Sequence, residues 1–228
     1  MCDFNQILSE KLASLDVSDF GFADISGISV PFGESFPNAV SFALKLSDAA
    51  IDSIGAEPTA SYFHHYRTVN AYIDMVALRV GMLIESLGYR YMPVAGSQSI
   101  PANEEPYSGL ISHKTVARLA GLGSIGKSAL FLSRKYGPRV RLGTVLTNMP
   151  LTTATPQDNT DICGDCDLCV RACPAMALKG NVWHDGTARG DIIDARACSE
   201  YMKSHFQHIG RGAVCGICIK VCRFGGRI

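Results

Sequence analysis

The chain has 228 residues, of which 47% are hydrophobic and 18% charged, and its 21 basic and 21 acidic side chains cancel. This length suits one large domain or a domain with a small module, and the apolar content excludes a disordered chain. A net charge of zero excludes a uniformly basic protein of the kind that coats nucleic acid.

The first 150 residues carry the periodicities of a mixed α/β fold. Helical spacing predicts helices over 5–15, 65–87, 112–120 and 126–134, and short apolar or alternating runs predict strands over 20–25, 39–46, 89–94 and 139–147. Gly88 stands where a left-handed helix cap is needed, and the stretch 95–110 predicts a long loop. The polar segment 150–160 marks the boundary, so we expect domains over 1–155 and 156–228.

Nothing in the sequence indicates export or a membrane. The start, MCDFNQILSEKL, lacks the apolar core of a signal peptide, and the most apolar stretch, 69–87, is interrupted by Asp74, Arg79 and Glu85. We therefore expect a cytoplasmic protein with no membrane partner.

The charges are unevenly distributed. Residues 1–106 hold 5 Lys/Arg and 13 Asp/Glu, residues 107–157 hold 7 and none, and residues 158–228 hold 9 and 8. The stretch without acids indicates either an anionic ligand or partner, or a face that pairs with the acidic first part.

Eight of the nine cysteines lie between residues 163 and 222. In a chain without an export signal, such clustering indicates metal binding rather than disulfides. Residues 163–174, CGDCDLCVRACP, have the C-x2-C-x2-C-x3-C-P spacing of bacterial ferredoxins, in which three thiolates bind one 4Fe–4S cluster and the fourth binds another. Structural zinc is the weaker alternative, because zinc sites usually use two paired C-x2-C knuckles.

A second cysteine run supplies the remaining ligands by repeating the same x2, x3 spacing. Crossed ligation then uses eight cysteines in two sets, Cys163, Cys166, Cys169 and Cys222 for one cluster and Cys173, Cys198, Cys215 and Cys218 for the other. Arg223 follows the last of them where the ferredoxin pattern has proline, and Cys2 is expected to be an uninvolved N-terminal thiol. Two such clusters would form a path for low-potential electrons.

The segment AGLGSIGKS, 120–128, matches both the P-loop and the dinucleotide-binding patterns. Both sites need an apolar strand before the first glycine, whereas the preceding HKTVARLA has helical spacing. We therefore favour a turn in which Gly121, Gly123 and Gly126 let a flat ligand approach the backbone closely.

Together, HKTVARLAGLGSIGKSALFLSRKYGPRVRLGTVLTNMPL, CGDCDLCVRACP, IDARACSEYM and CGICIKVC resemble the epoxyqueuosine reductase family and its relatives, the reductive dehalogenases. The resemblance covers 113–222 well and 20–95 in outline. It implies an α+β fold, a nitroreductase-like α/β sandwich followed by a small ferredoxin-like iron–sulfur domain, with cobalamin held against the glycine turn. The implied cofactor-binding residues are Gly121, Leu122, Gly123, Ser124, Ile125, Gly126, Lys127 and Arg141.

Several features depart from the family pattern. Epoxyqueuosine reductases have a catalytic Asp shortly before the helix of the glycine turn, and the corresponding position here is near Tyr107, a weak candidate for a proton donor. Ser124 replaces the family's usual aromatic residue, and the sequence shows no C-terminal extension of the kind that helps grip tRNA.

We therefore expect an iron–sulfur oxidoreductase that passes electrons through two 4Fe–4S clusters to a bound corrinoid or a small substrate. A ferredoxin- or flavodoxin-type protein is the expected electron donor. A ferredoxin-like electron carrier is the first alternative and a tRNA-modifying epoxyqueuosine reductase the second, so tRNA is the partner that the sequence favours least. The sequence does not indicate an oligomeric state.

Overall fold

The computed structural model describes residues 3–30, 35–97, 107–155 and 161–225. The chain divides into two compact units, the first made of residues 1–44, 69–122 and 141–157 and the second of residues 45–68, 123–140 and 158–228. The second unit thus includes two segments, 45–68 and 123–140, that precede the cysteine runs. A division of the chain into two consecutive domains would leave both segments in the first domain. The domain limits 1–155 and 156–228 remain a prediction.

Helices and strands alternate in the first half of the chain, and short helices dominate the second. The helices are α1 (Phe4–Ala13), α2 (Asp48–Asp52), α3 (Ala60–Ser86), α4 (His113–Leu119), α5 (Leu168–Ala172), α6 (Arg189–Ile192), α7 (Ala195–Phe206) and α8 (Ile217–Lys220). The strands are β1 (Asp19–Asp24), β2 (Asn38–Lys45), β3 (Tyr91–Val94), β4 (Gly123–Ile125), β5 (Phe131–Ser133) and β6 (Val140–Thr147). The expected mixture of helix and sheet is confirmed.

The first unit is built on a four-stranded sheet with the order β1-β2-β6-β3. Strands β1 and β2 pair antiparallel with Phe20 opposite Phe42, and β3 and β6 pair antiparallel with Met92 opposite Leu146. Buried side chains of α1, α3 and the sheet form one apolar core, which includes Leu8, Leu12, Val40, Phe42, Ile73, Val76, Val80, Ile84 and Val145. Burial of these side chains is the main stabilising contribution in this unit.

Most predicted elements of the first half lie close to their observed bounds. Gly88 adopts the left-handed conformation expected after α3, with φ of 87°. Helix α3 begins earlier than predicted, because the Thr59 hydroxyl accepts a hydrogen bond from the Tyr62 N–H at 3.2 Å and satisfies the first turn. The predicted loop 95–110 lies mostly outside the described residues.

The predicted helix over 126–134 is wrong, because this segment belongs to an antiparallel hairpin of β4 and β5. The Gly126 N–H donates to the Leu130 carbonyl at 3.0 Å, and Ala129 adopts a left-handed φ of 58°. A residue in this conformation ends helical hydrogen bonding, and the run of leucine and phenylalanine that suggested a helix forms the short strand β5.

The second unit carries the cysteine runs around a smaller apolar cluster. Ala129, Cys169, Leu178 and Ile192 are buried there, and Trp183 packs against them. Within the described ranges, no helix is long and apolar enough to cross a membrane.

Candidate metal centre and glycine turn

The thiols of the second unit fall into two groups. Burial and the neighbouring Cys163 and Cys222 thiols raise the pKa of Cys169 to about 11. Burial likewise raises the pKa of Cys222, with further contributions from Cys163 and Cys166. Cys163, Cys166, Cys169 and Cys222 thus form a first set of thiols that influence one another.

The second group contains the other four cysteines. Burial raises the pKa of Cys215 to about 11, and the Cys198 and Cys173 thiols add to the rise. Burial raises the pKa of Cys218 strongly, with contributions from Cys215, Cys198 and Cys173 and a last one from Cys169 of the first group. The Cys169 contribution crosses from one group to the other, and the crossed ligand sets remain a prediction.

Short helices hold these cysteines in place. Cys169 lies in α5 with Cys173 at its C-terminal end, Cys198 lies in α7, and Cys218 lies in α8. In α7, the Asp194 carboxylate caps the helix by accepting from the Ala197 N–H at 2.9 Å. Helical backbone on both sides of Cys169, Cys198 and Cys218 limits how far their sulfur atoms can move.

Helix α8 is anchored at both ends. Gly216 precedes it with φ of 81°, and a Cβ atom at this position would lie 2.6 Å from the Tyr62 ring. Lys220 at the other end donates to the Asp52 carbonyl at 2.9 Å. Segments remote in sequence therefore fix the position of the Cys218 thiol.

None of the eight cysteines from 163 to 222 forms a disulfide, and Cys2 lies outside the described residues. Among the residues that the structure describes, no three His, Cys, Asp or Glu side chains lie close enough to hold a single metal ion.

The glycine turn is neither a P-loop nor a dinucleotide-binding turn. Helix α4 precedes it and strand β4 follows, which is the reverse of the strand–turn–helix order that both sites require. Gly121, with φ of 76°, ends α4: its N–H donates to the Arg118 carbonyl at 2.9 Å and the Leu122 N–H donates to Ala117 at 3.0 Å. This is a Schellman cap, which favours glycine at that position.

Protein packing explains two of the three glycines in the turn. A Cβ atom on Gly123 would lie 2.1 Å from the Leu132 carbonyl oxygen, and one on Gly126 would lie 2.5 Å from the Leu132 side chain. Only at Gly121 would a Cβ atom fit without a clash, in ordinary contact with the Ala154 methyl at 3.5 Å. Close approach of a flat ligand is therefore not needed to explain Gly123 or Gly126.

The second half of the turn touches the first cysteine loop. A Cβ atom on Gly126 would lie 3.3 Å from the Cys163 sulfur, and the Lys127 ammonium donates to the Gly164 carbonyl. Both contacts lie within the second unit, so the turn residues from Gly123 onward pack with the cysteine motifs.

Arg141 and His113 hold the first unit together. Arg141 donates to the Asn70 side chain at 2.9 Å and to the Gly96 carbonyl at 3.2 Å. The His113 ring nitrogens lie 2.8 Å from the Thr144 hydroxyl and 3.0 Å from the Ala95 carbonyl. Burial lowers the pKa of His113, so the ring is held neutral. The sequence does not reveal this role.

The stretch without acids does not form one basic surface. Arg118 and Arg139 are buried. Arg139 pairs with Asp48 and Asp52, which belong to the acidic stretch 1–106. For this residue, the stretch without acids therefore pairs with the acidic first part of the chain. Within the described residues 107–155, the exposed cations of this stretch are Arg134 and Lys135.

Tyr107 is half-buried and adopts a left-handed φ of 68°. This conformation is uncommon for a bulky residue, and such outliers concentrate at functional sites. Its role as a proton donor stays a prediction.

Comparison with known proteins identifies a family for the segment that contains the cysteines. Residues 162–225 match the family model described as a 4Fe-4S double cluster binding domain. Over 146 residues the chain is 34% identical to the epoxyqueuosine reductase of Listeria monocytogenes, covering 62% of this chain and 35% of that protein. Over about a third of their length, this chain is similar to the epoxyqueuosine reductases.

Solved structures of low sequence identity share the fold. A catabolic reductive dehalogenase, NpRdhA, superposes with a TM-score of 0.73 at 16% identity, over 96% of this chain and 32% of its own. Another structure with this fold concerns B12-dependent dehalogenation. An epoxyqueuosine reductase solved with a tRNA-Tyr stem loop gives a TM-score of 0.58 at 18% identity, over 96% and 64% of the two chains.

The chain spans about a third of the length of the first curated relatives that it matches. The expectation that tRNA is the least favoured partner is not supported, because relatives in both comparisons are named epoxyqueuosine reductases and one was solved with a tRNA stem loop.

Proposed function

We propose that this chain is an iron–sulfur reductase that passes electrons through two 4Fe–4S clusters. The observation that carries the proposal is the match of residues 162–225, which contain all eight clustered cysteines, to a double-cluster family. The proposed ligands are Cys163, Cys166, Cys169 and Cys222 for one cluster and Cys173, Cys198, Cys215 and Cys218 for the other. The donor set suits this cofactor, because iron–sulfur clusters are held by four cysteine thiolates each.

The electron acceptor in this proposal is a bound corrinoid. Its support is the fold shared with a protein whose dehalogenation is described as B12-dependent, together with the absence of a packing clash at Gly121. A bound corrinoid would supply a low-potential metal centre that transfers electrons to the substrate. The proposed binding residues remain 121–127 and Arg141, and the nitroreductase-like and ferredoxin-like assignments of the two parts belong to the same proposal.

The substrate that the relatives favour is a modified nucleoside in tRNA. Relatives in both comparisons are named for epoxyqueuosine, and Arg134 and Lys135 offer exposed positive charge for a phosphate backbone. A ferredoxin- or flavodoxin-type donor and a cytoplasmic location complete the proposal. Reduction of epoxyqueuosine in tRNA by the anaerobic protein would support this substrate, and unchanged tRNA in the presence of both cofactors would contradict it.

Titration of the anaerobic protein with cobalamin, followed in the visible spectrum, tests the acceptor. Gly121→Asn is the informative variant, because asparagine tolerates a positive φ and adds a side chain where the space is open. We expect it to weaken cobalamin binding and leave the cluster absorbance unchanged. Gly186→Asn is the matched control, since Gly186 also has a positive φ, of 86°, and no neighbouring atom within 4 Å of its Cβ position.

An electron carrier is the second candidate. Protein packing already accounts for Gly123 and Gly126, so fewer residues of the turn indicate a bound ligand. This observation favours the carrier. Absence of cobalamin binding by a protein that contains both clusters would make this candidate the better one.

A further inference from the structure

Two cations from separate segments hold three successive carbonyl groups of the first cysteine loop. The Arg223 Nη2 atom donates to the Ile162 carbonyl at 3.2 Å and to the Cys163 carbonyl at 2.9 Å. The Lys127 ammonium donates to the next carbonyl, that of Gly164. We call these two side chains the cation pair.

The opposite side of the same loop is also fixed. The Asp161 carboxylate accepts from the N–H groups of Cys163 and Gly164 at 3.1 and 3.2 Å. The Cys163 carbonyl accepts a further hydrogen bond from the Cys166 N–H at 3.0 Å. With an acid binding the N–H groups and cations binding the carbonyls, each peptide group of the loop has a single favoured orientation.

The position of Arg223 explains its presence where ferredoxins have proline. It directly follows Cys222, so a single side chain joins the loop of Cys163 to the segment of the fourth proposed ligand. The guanidinium lies 4.9 Å from the centre of the Phe224 ring, and a Cβ atom at Gly137 would lie 2.0 Å from the Phe224 carbonyl oxygen. Arg223 therefore has little freedom to leave the loop.

We propose that the cation pair positions the loop of the cluster held by Cys163, Cys166, Cys169 and Cys222 and raises the reduction potential of that cluster. This inference rests on the proposed cluster ligands. Reduction adds one negative charge to a cluster, and a nearby positive charge stabilises the reduced form. Around metal centres, groups that contact the ligand segments tune the potential in this way.

A raised potential gives the electrons a direction. With its potential raised, the cluster beside the cation pair would be the more readily reduced of the two. That cluster is the one next to the glycine turn, since Gly126 approaches the Cys163 sulfur.

The test is a redox titration of the anaerobic holoprotein, followed by electron paramagnetic resonance. In Arg223→Gln and Lys127→Gln, we expect the ratio of reduced to oxidised protein at one cluster to fall about tenfold at a fixed ambient potential, which corresponds to about 59 mV for one electron. The other cluster should be unchanged. The signal that disappears in Cys222→Ser identifies which cluster has shifted.

Two further variants separate charge from fold. Arg223→Lys keeps the positive charge, so most of the rise in reduction potential should be retained. If the guanidinium had a purely structural role, this variant would lose that role. Arg171→Gln is the matched control, because Arg171 lies in the same motif but is 67% exposed and paired with Asp167, so its removal should shift neither cluster.

The outcomes are distinguishable from failure of the proposed function. A protein with fewer than two clusters would contradict the proposed function itself. Two intact clusters with unchanged potentials in both glutamine variants would overturn the role of the cation pair. If Arg223→Gln does not assemble its cluster, Lys127→Gln and Arg223→Lys decide the question.

Discussion

The Nη2 atom of Arg139 donates to Oδ1 of Asp52 at 2.8 Å. The same carboxylate oxygen accepts from Lys220 at 3.3 Å, and Asp48 binds the other terminal nitrogen of Arg139 at 3.0 Å. The Arg139 side chain is only 6% exposed, whereas the two acids are about half-exposed. Asp52 of α2 therefore links the buried guanidinium to Lys220 in the helix that carries Cys218.

Replacing Arg139 should destabilise the second unit. We expect Arg139→Met to lower the free energy of unfolding by roughly 2 kcal/mol, because two charge-assisted hydrogen bonds are lost while water solvates the half-exposed acids. Anaerobic chemical denaturation measures the effect, with the exposed Arg67→Met as control. Equal stability of the two variants would contradict a structural role for the buried guanidinium.

Gly123 should be intolerant of any side chain. In Gly123→Ala, the new methyl group would collide with the Leu132 backbone and separate β4 from β5, at a cost of about 1–3 kcal/mol. Thermal unfolding compares this variant with Gly190→Ala, whose methyl group would meet no atom within 4 Å. A wild-type melting temperature for Gly123→Ala would show that the hairpin differs from the one described.

Cluster content should follow the crossed ligand sets. The anaerobic protein should contain about eight iron and eight sulfide per chain, and Cys222→Ser should reduce both to about four by damaging the cluster of Cys163, Cys166 and Cys169. Iron and sulfide analysis with resonance spectra measures this, and Cys2→Ser is the control that should change nothing. Zinc, or an unaltered cluster in Cys222→Ser, would refute the ligand assignment.

Stability should decrease in mild acid because of His113. Its pKa is lowered below 6.5, mainly by burial and also by the Arg141 charge, while the Ala95 carbonyl and Asp74 oppose the shift. Below about pH 6.5 the unfolded chain therefore binds more protons than the folded one, and the free energy of unfolding falls until the folded-state pKa is reached.

The fall in melting temperature between about pH 7.5 and pH 5.5 measures this contribution. It should be smaller in His113→Gln than in the wild type, and unchanged in the exposed His184→Gln. His65, whose pKa is also lowered by burial, accounts for part of the remaining slope. An equal fall in all three proteins would exclude His113 as a source.

Local patterns in the sequence predict much of this structure. Gly88 and the apolar spacing in α3 lead to the helix and its end, because these depend on residues close in sequence. The β4–β5 hairpin is missed because its turn depends on Ala129 in a left-handed conformation, which alanine rarely adopts.

Long-range contacts are what the sequence does not reveal. Nothing local to Arg223 indicates that it binds the carbonyls of Ile162 and Cys163, although an arginine in the place of proline is a signal that something other than chain stiffness is required there. Nor does the glycine pattern distinguish a ligand from the Leu132 backbone as the reason for Gly123.

The composition of the second unit has a consequence for the newly made protein. Its segments 45–68, 123–140 and 158–228 are synthesised far apart in time, and Cys222 emerges long after Asp52 and Lys127. Contacts of such sequence separation form slowly. Cluster insertion is therefore expected after translation, and a chain made without iron should be most sensitive to proteases in this unit.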